Sequence, residues 1–399
     1  MITGDGAYIK KINRNLLLSK IIEYGLISRA DLSKITGLNK ATISVQVADL
    51  LNEELIYETK LEHNVVGRRP IMLSVNKNAG YVLGIDIDYN MIRFLVSDLG
   101  GNPVCYDSLT LDSLHYEDIV LLLTKHIKAY KNTYANCRYG MVSVTIGIHG
   151  TVNNEDEINF VPTYQWKNKS LKSDLSKELD IDISIQNNAN LSAYAERVYK
   201  HHESNNLLCI ILSSGIGAGI MIDGKLHTGF DGYAGEMGHM IIARNGEACP
   251  CGNNGCWEQY ASEPTLLARL SNQLNIPNIN YDDVANLIAK QDPIAIKLMD
   301  QFIIDLSVGL NNIINMYNPE TLVLSSEILK LYPNAVDEIK NNLNFTVSQY
   351  RDLVLSDFDN KSCVMGACAL AIQRFLEVPQ LILTLTENSI PSNKLASSK

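Results

Sequence analysis

The sequence predicts a two-part chain: a small N-terminal winged helix-turn-helix head and a larger α/β body made of two related halves. Three observations predict it. Between Ser28 and Leu51 two short helical patterns with capping residues flank a glycine turn, and strand-like segments follow. Further on, a strand–turn–strand pattern occurs twice, beginning at Tyr81 and again at Asn206. Charge divides the same way: the chain carries a formal −10, yet Tyr8–Gln46 holds seven Lys/Arg against two Asp/Glu. An acidic body with a basic head leaves the head as the part suited to a polyanion such as DNA.

The head is read in order. A first helix is expected over Asn13–Tyr24, with Leu16, Leu17 and Ile21 inward. Ser28 followed by Asp31 resembles a capping box, so a second helix begins near Arg29. Gly37 supplies a turn and Asn39 caps a third helix. There Ile43, Val47, Leu50 and Leu51 mark the inward face, leaving Lys40, Thr42, Ser44 and Gln46 outward near its start. Together with Asn39 and Ala41 these are the expected base-reading set. "LIYETKLEHN" and "PIMLSVN" read as the strands of a wing joined through "VVGRRP", where Arg68 and Arg69 would meet phosphate or a minor groove. Such domains usually act as dimers on two-fold-related half-sites, so operator DNA and a homodimer are expected. The blander reading is a helix pair that docks a partner protein.

In the body, "YVLGIDIDYNMIRFLVSDLGGNPV" gives two strands, a helix near Tyr116–Lys131 follows, and then the strand "VSVTIGIHG". "LLCIILSSGIGAGIMIDGKL" repeats the strand pair, Pro264–Met316 is helix-rich, and "TLVLSS" adds a short strand. The expected divisions are 1–76 for the head and 77–385 for the body, with lobes of roughly 77–195 and 196–385 and a cleft for a ligand between them. Residues 386–399 form a polar tail expected to be disordered. The longest uncharged stretch, Leu207–Ile222, is short and glycine-broken for a spanning helix, and no secretory leader is visible. A cytoplasmic protein without membrane contact is therefore expected.

In that compartment clustered cysteines read as metal ligands. "CPCGNNGCWEQ" supplies Cys249, Cys251 and Cys256, and a structural tetrahedral Zn²⁺ needs a fourth ligand. His239 in "GEMGHM", ten residues before Cys249, is the expected one, with His227 a weaker rival. An ion fixing both loops would also fix Glu236 and Glu258, the preorganised acceptors that a hydroxyl-rich ligand needs.

At these residues the chain resembles the ROK family of sugar kinases and sugar-responsive repressors, and the likeness covers nearly the whole sequence. "GEMGH" followed by "CPCGNNGCWEQYAS" is similar to that family's zinc signature. The resemblance implies zinc on His239, Cys249, Cys251 and Cys256. It also implies sugar contacts at Asn187, Asn188, Glu236, His239 and Glu258, with the loop Gly147–Val152, Gly150 included, closing the site. The fold implied is the duplicated actin/hexokinase-like (RNase H-like) one. The head implies a repressor, because the kinases lack it; "ISRADLSKITGLNKATIS" and "GRRPIMLSVN" look most like the xylose repressors of Gram-positive bacteria. D-xylose releasing an inverted-repeat operator of sugar-utilisation genes is the expectation that follows, with sugar-assisted repression its alternative.

Three departures from the kinase pattern predict that catalysis is lost and that no residue is catalytic. The kinases carry Glu-Asn-Asp-Ala-Asn with the aspartate as base; here "QNNAN" puts Asn188 at that place, and a carboxamide takes no proton at neutral pH. Their first phosphate loop reads Asp-x-Gly-Gly-Thr; here "DIDYN", Asp86–Asn90, replaces the glycines by Asp88 and Tyr89. The glycine-rich adenosine loop becomes "SSE", Ser325–Glu327, while "SSGIGAGI" from Ser213 is largely intact. The alternatives are a kinase that also binds DNA, and a regulator answering another sugar or a partner protein.

Overall fold

The computed structural model describes residues 6–60 and 70–385. In chain order the elements are α1 (Gly6–Tyr24), β1 (Ile27–Ser28), α2 (Arg29–Thr36), α3 (Lys40–Asn52), β2 (Ile56–Lys60), β3 (Ile71–Val75), β4 (Tyr81–Asp88), β5 (Met91–Asp98) and β6 (Pro103–Thr110). Then come α4 (Tyr116–Thr133), β7 (Met141–Ile148), β8 (Thr151–Val152), β9 (Ile158–Val161), β10 (Trp166–Lys169), α5 (Leu171–Ser176), β11 (Asp182–Asn187) and α6 (Asn188–Tyr199). The rest are β12 (Leu207–Ile211), β13 (Gly217–Ile222), β14 (Lys225–Leu226), α7 (Glu258–Ala261), α8 (Glu263–Leu274), α9 (Tyr281–Ala289), α10 (Pro293–Tyr317), β15 (Thr321–Ser325), α11 (Glu327–Leu331), α12 (Ala335–Asn342), β16 (Asp352–Leu355) and α13 (Ser362–Leu376).

Capping decides the helix starts in the head. Ser28 accepts from the Asp31 amide, Asn39 accepts from the Thr42 amide, and Gly37 ends α2 in the left-handed region at φ 71°. Strands pair in the order β1-β3-β2. Helix α1 begins at Gly6, seven residues before the expected start. Its first turns expose Tyr8, Ile9 and Ile12, so they carry no core periodicity; a Lys10–Asp49 ion pair ties them to α3. Leu17, Leu18 and Ile21 are its buried face, and Leu16 is only half-buried. Arg68, Arg69 and the polar tail lie outside the described residues.

Two five-stranded sheets have the same construction. One runs β11-β7-β4-β5-β6 and the other β14-β13-β12-β15-β16. In each the first strand of an antiparallel hairpin also pairs in parallel with a later strand: β4 with β7, β12 with β15. Repetition of the strand–turn–strand pattern thus corresponds to repetition of topology.

The chain forms two compact units: 1–150, 155–186 and 363–399 make the first, and 151–154 with 187–362 the second. These bounds differ from a lobe division at 195/196 and a second lobe running to 385. Helix α6 packs on the second sheet, so closely that a Cβ on Gly219 would meet Ala189 O at 2.1 Å. Helix α13 packs on the first, where a Cβ on Gly84 would meet Val364 O at 2.4 Å. Close helix–strand approach at these glycines carries each helix to its unit.

Candidate metal centre and ligand site

The cysteine segment is a tight knuckle. Cys249 N donates to Asn253 O (2.8 Å) and Gly252 N to Cys249 O (2.9 Å), and short bridges join Ile241 to Cys256 and Ala248 to Asn254. Gly255, at φ +83°, lies where a Cβ would meet Ala243 O at 1.8 Å, so no other residue fits. The knuckle is anchored by Trp257, fully buried, whose Nε1 donates to Asp305 O of α10 at 3.0 Å. Gly309 on the same helix makes room for the ring, which a Cβ there would meet at 2.0 Å. Neither Trp257 nor Gly309 was marked by the sequence pattern; an apolar Trp directly after a ligand cysteine was the available signal.

His239, Cys249, Cys251 and Cys256 offer ligand atoms all within 4.8 Å of one another. Cys251 and Cys256 sulfurs are 3.6 Å apart, and Cys249 Sγ is 3.7 Å from His239 Nδ1. A tetrahedral ion at about 2.3 Å from sulfur and about 2.0 Å from nitrogen separates its ligand atoms by about 3.5–3.8 Å, so the four residues fit such an ion. Burial, then Glu258 and the neighbouring thiols, pushes the Cys249 thiol up; a cation among the sulfurs would favour thiolates instead. His227 is not in this group.

The same imidazole touches both expected carboxylates. Glu258 Oε1 lies 3.4 Å from His239 Nδ1, and Glu236 Oε2 lies 3.9 Å from His239 Nε2. Glu236 immediately precedes the 3-10 turn Met237–His239, and Glu258 begins α7. Asn187 caps α6, its Oδ1 accepting from the Ala189 and Asn190 amides at 2.8 and 3.2 Å, while Asn188 is the first helical residue and half-buried. The segment Ser213–Gly217, which leads into β13, touches both groups: a Cβ on Gly215 would stand 3.2 Å from Glu258 Oε2, and one on Gly217 3.4 Å from Ala189 Cβ. Five of the six expected sugar residues therefore belong to the second unit. Gly150 ends a segment of the first, where a Cβ would meet Phe160 O at 2.3 Å, so it has a packing reason to be glycine.

The segment matching the first phosphate loop holds an ionic cluster. Arg93 Nη1 donates to Asp86 at 3.0 Å and to Asp88 at 2.8 Å; His149 Nε2 lies 3.1 Å from Asp86 and its Nδ1 3.4 Å from Asp88. The Tyr164 hydroxyl donates to the Asp88 carbonyl. Burial alone would raise the Asp86 carboxyl, but His149 and Arg93 outweigh it and hold it low. Burial would lower His149, but Asp86 and then Asp88 outweigh that and raise it. Asp86, Asp88 and His149 also have metal-ligand spacing, but the guanidinium already supplies the cation. The "SSE" segment is likewise built in: Ser326 caps α11 and donates to buried Glu263 at 2.6 Å, which also accepts from the Ile328 amide at 3.1 Å.

In the head, Lys40, Ala41 and Ser44 are exposed and Thr42 half-buried, but Gln46 is buried at 3% exposure, contrary to the outward position expected for it. Gln46 lies three residues after Ile43 and four before Leu50, on the buried stripe. Val45, 55% exposed, takes the outward place instead. Among the described residues no helix is long and apolar enough to cross a membrane.

A model of the ROK family matches residues 82–374. The xylose repressor of Bacillus spizizenii is 34% identical over 388 residues, 96% of this chain and 100% of that one. A solved ROK family transcriptional regulator, described as a homolog of the E. coli MLC protein, superposes with a TM-score of 0.79 at 26% identity, covering 92% of this chain and 96% of the other. A ROK glucokinase from Streptomyces griseus, solved with glucose and AMPPNP, has a TM-score of 0.65 at 23% identity over 74% of this chain and all of its own, a likeness of fold. The chain belongs to the ROK family, and it is similar along nearly its whole length to xylose repressors within that family.

Proposed function

We propose that the protein is a sugar-responsive transcriptional repressor whose second unit holds a structural Zn²⁺ on His239, Cys249, Cys251 and Cys256 and binds D-xylose beside it. The observation that carries this is the placement of one imidazole: Nδ1 faces the sulfurs and Nε2 faces Glu236. An ion that fixes the ring fixes both carboxylates, which then accept from sugar hydroxyls without reorganising. Asn187 and Asn188 add contacts from the start of α6, and Gly150 does so from the loop Gly147–Val152. Xylose as the sugar rests on the names of the full-length relatives.

The head acts as a winged helix-turn-helix on an inverted-repeat operator, in a homodimer. Asn39, Lys40, Ala41, Thr42 and Ser44 face the bases or the backbone beside them, and Arg68 and Arg69 hold the flanking phosphates. Bound sugar prefers the state with lower operator affinity, and that difference sets the size of the release. Kinase chemistry is absent from this reading. Asn188 accepts no proton, and the side chain of Asp88, held by Arg93 and His149, stands in the first phosphate loop where the kinases have glycine.

Fluorescence anisotropy on an inverted repeat selected by the protein from random DNA tests the release. Saturating xylose should weaken binding by about 5–150-fold, the usual span of coupling. Flat operator affinity while calorimetry records xylose binding would refute release. ATP-dependent phosphorylation of xylose or glucose at ordinary enzymatic rates would refute the loss of catalysis.

A further inference from the structure

One helix of the first unit touches the ionic cluster at one end and leads to the head at the other. At its start, α13 sets Cys363 against the Asp86 carboxyl, which is itself bonded to Arg93 and His149. Along its length it is seated without slack on the sheet: Val364 O and Cys368 Sγ crowd the vacant Cβ position of Gly84 at 2.4 and 2.9 Å, and Cys368 Sγ donates to Leu95 O at 3.2 Å. At its far end Phe375 meets the Tyr139 ring edge-on, centroids 5.3 Å apart, and the Tyr139 hydroxyl donates at 2.7 Å to Glu53 O, which closes α3. The chain leaving α13 then reaches α1: Glu377 pairs with Lys11 at 2.8 Å, and the buried Ser19 hydroxyl donates to Gln380 O at 2.7 Å.

We propose that α13 is the coupling rod of this protein, joining the Asp86 cluster, which holds the loop Gly147–Val152 through His149, to helices α1 and α3 of the head. This rests on the proposed function only in taking that loop as the one the effector moves. The physical case begins with charge. Asp86 and Asp88 are bonded by Arg93 and lie against both ring nitrogens of His149, and Asp86 is 2% exposed. Withdrawing the imidazole takes a polar partner from a buried carboxylate, a costly change that is relieved by moving Asp86 or its neighbours. Cys363 is one of those neighbours. A helix of 15 residues is about 22 Å long and stiff against compression, so a shift at one end moves the whole helix. Displacement at Cys363 is therefore delivered at Glu377 and Gln380 against α1, and at Phe375, through Tyr139, to the end of α3, the helix that carries the reading residues.

The test uses the full-length protein and two kinds of break. Ser19→Ala and Phe375→Ala cut the far end; both should leave xylose affinity by calorimetry within about twofold of the parent, because neither touches the ligand residues. In both, the xylose-induced weakening of operator binding should shrink to less than about a third of the parent's. Weakening equal to the parent's in Ser19→Ala and Phe375→Ala alike overturns the rod. A sugar-free measurement decides it independently. His149→Gln should speed amide hydrogen exchange in α1 and residues 377–383 as well as in 147–152; faster exchange confined to 147–152 overturns the proposal. If the parent binds no xylose at all, the proposed effector fails while the exchange result still decides the rod.

Discussion

The two units each hold side chains with the spacing of metal ligands, thiols in one and carboxylates in the other, and the two groups differ in their charge balance. Around His239, Cys249, Cys251 and Cys256, no Lys or Arg forms an ion pair among the described residues, and the thiols face one another. Around Asp86, Asp88 and His149, Arg93 bonds both carboxylates. Both sets of donor atoms lie within reach of a single ion, so distance alone does not distinguish a site from a structural cluster. The distinction is whether the chain supplies its own cation. Where it does, the anions are satisfied and an added ion would face repulsion; where it does not, the donors stay costly until an ion joins them.

Removing one donor gives the largest expected effect. In Cys251→Ala the zinc content, one ion per chain by elemental analysis in the parent, should fall below about a fifth. Stability should drop by on the order of 5–10 kcal/mol, because structural zinc binding is folding free energy. A variant of parental stability and xylose affinity would erase the contrast between the two clusters. Next comes Arg93→Met, which keeps much of the buried volume and removes the cation. Leaving buried carboxylates unbalanced should cost about 3–5 kcal/mol in denaturant unfolding. Mn²⁺ should then recover part of that loss in Arg93→Met but not in the parent. Equal indifference to Mn²⁺ in both would show that more than the guanidinium keeps metal out.

A third carboxyl resolves the same problem with a proton. Glu196 on α6 is 1% exposed, its Oε1 has no hydrogen-bond partner, and His201 Nε2 stands 3.8 Å from Oε2. Burial pushes its carboxyl up to about 7. A folded value above the unfolded one means that this stability is fully present below about pH 4.5 and is lost as pH rises to about 7, by roughly 3 kcal/mol. Glu196→Gln cannot titrate there, so its unfolding free energy should lack that loss between pH 5 and pH 8. If both chains lose stability equally over the interval, Glu196 is ionised in the fold and another group governs the slope.

What was legible in the sequence was what is local in the chain. Caps and turn of the head lie within Ser28–Asn39, and each acts within three residues, as Ser28 with Asp31 and Asn39 with Thr42. His239 and the three cysteines lie within 18 residues, and thiols so dense have few other uses. Duplication was legible because each half starts with the same hairpin. The Arg93–His149 cluster was not, since Asp86 and His149 are 63 positions apart and each reads alone as an ordinary polar residue. Nor was the return of α13 to the first unit, which depends on Gly84 and Val364 meeting across the fold. Gln46 was misread for a different reason: polar side chains near a helix start look outward until their angle to Ile43 and Leu50 is counted.

The head extends the comparison to positive charge, with the smallest expected effect. Lys10, Lys11, Arg14, Lys20, Arg29 and Lys34 each pair with a carboxylate at 3.3 Å or less, whereas Lys40 makes no ion pair among the described residues. By the same logic as the thiols, Lys40 at the exposed start of α3 is, with Lys60 at the end of β2, one of two described cations of the head left for an outside anion. Lys40→Ala should weaken operator binding by less than about tenfold, reduce the salt slope by about one, and act alike on operator and random DNA, because a phosphate contact reads no sequence. Gln46→Ala should instead alter stability and leave the salt slope at its parental value, since its side chain faces the core. A larger salt-slope change from Gln46→Ala than from Lys40→Ala would mean that α3 meets DNA with its other face, and the rule of the unpaired charge would then fail in the head.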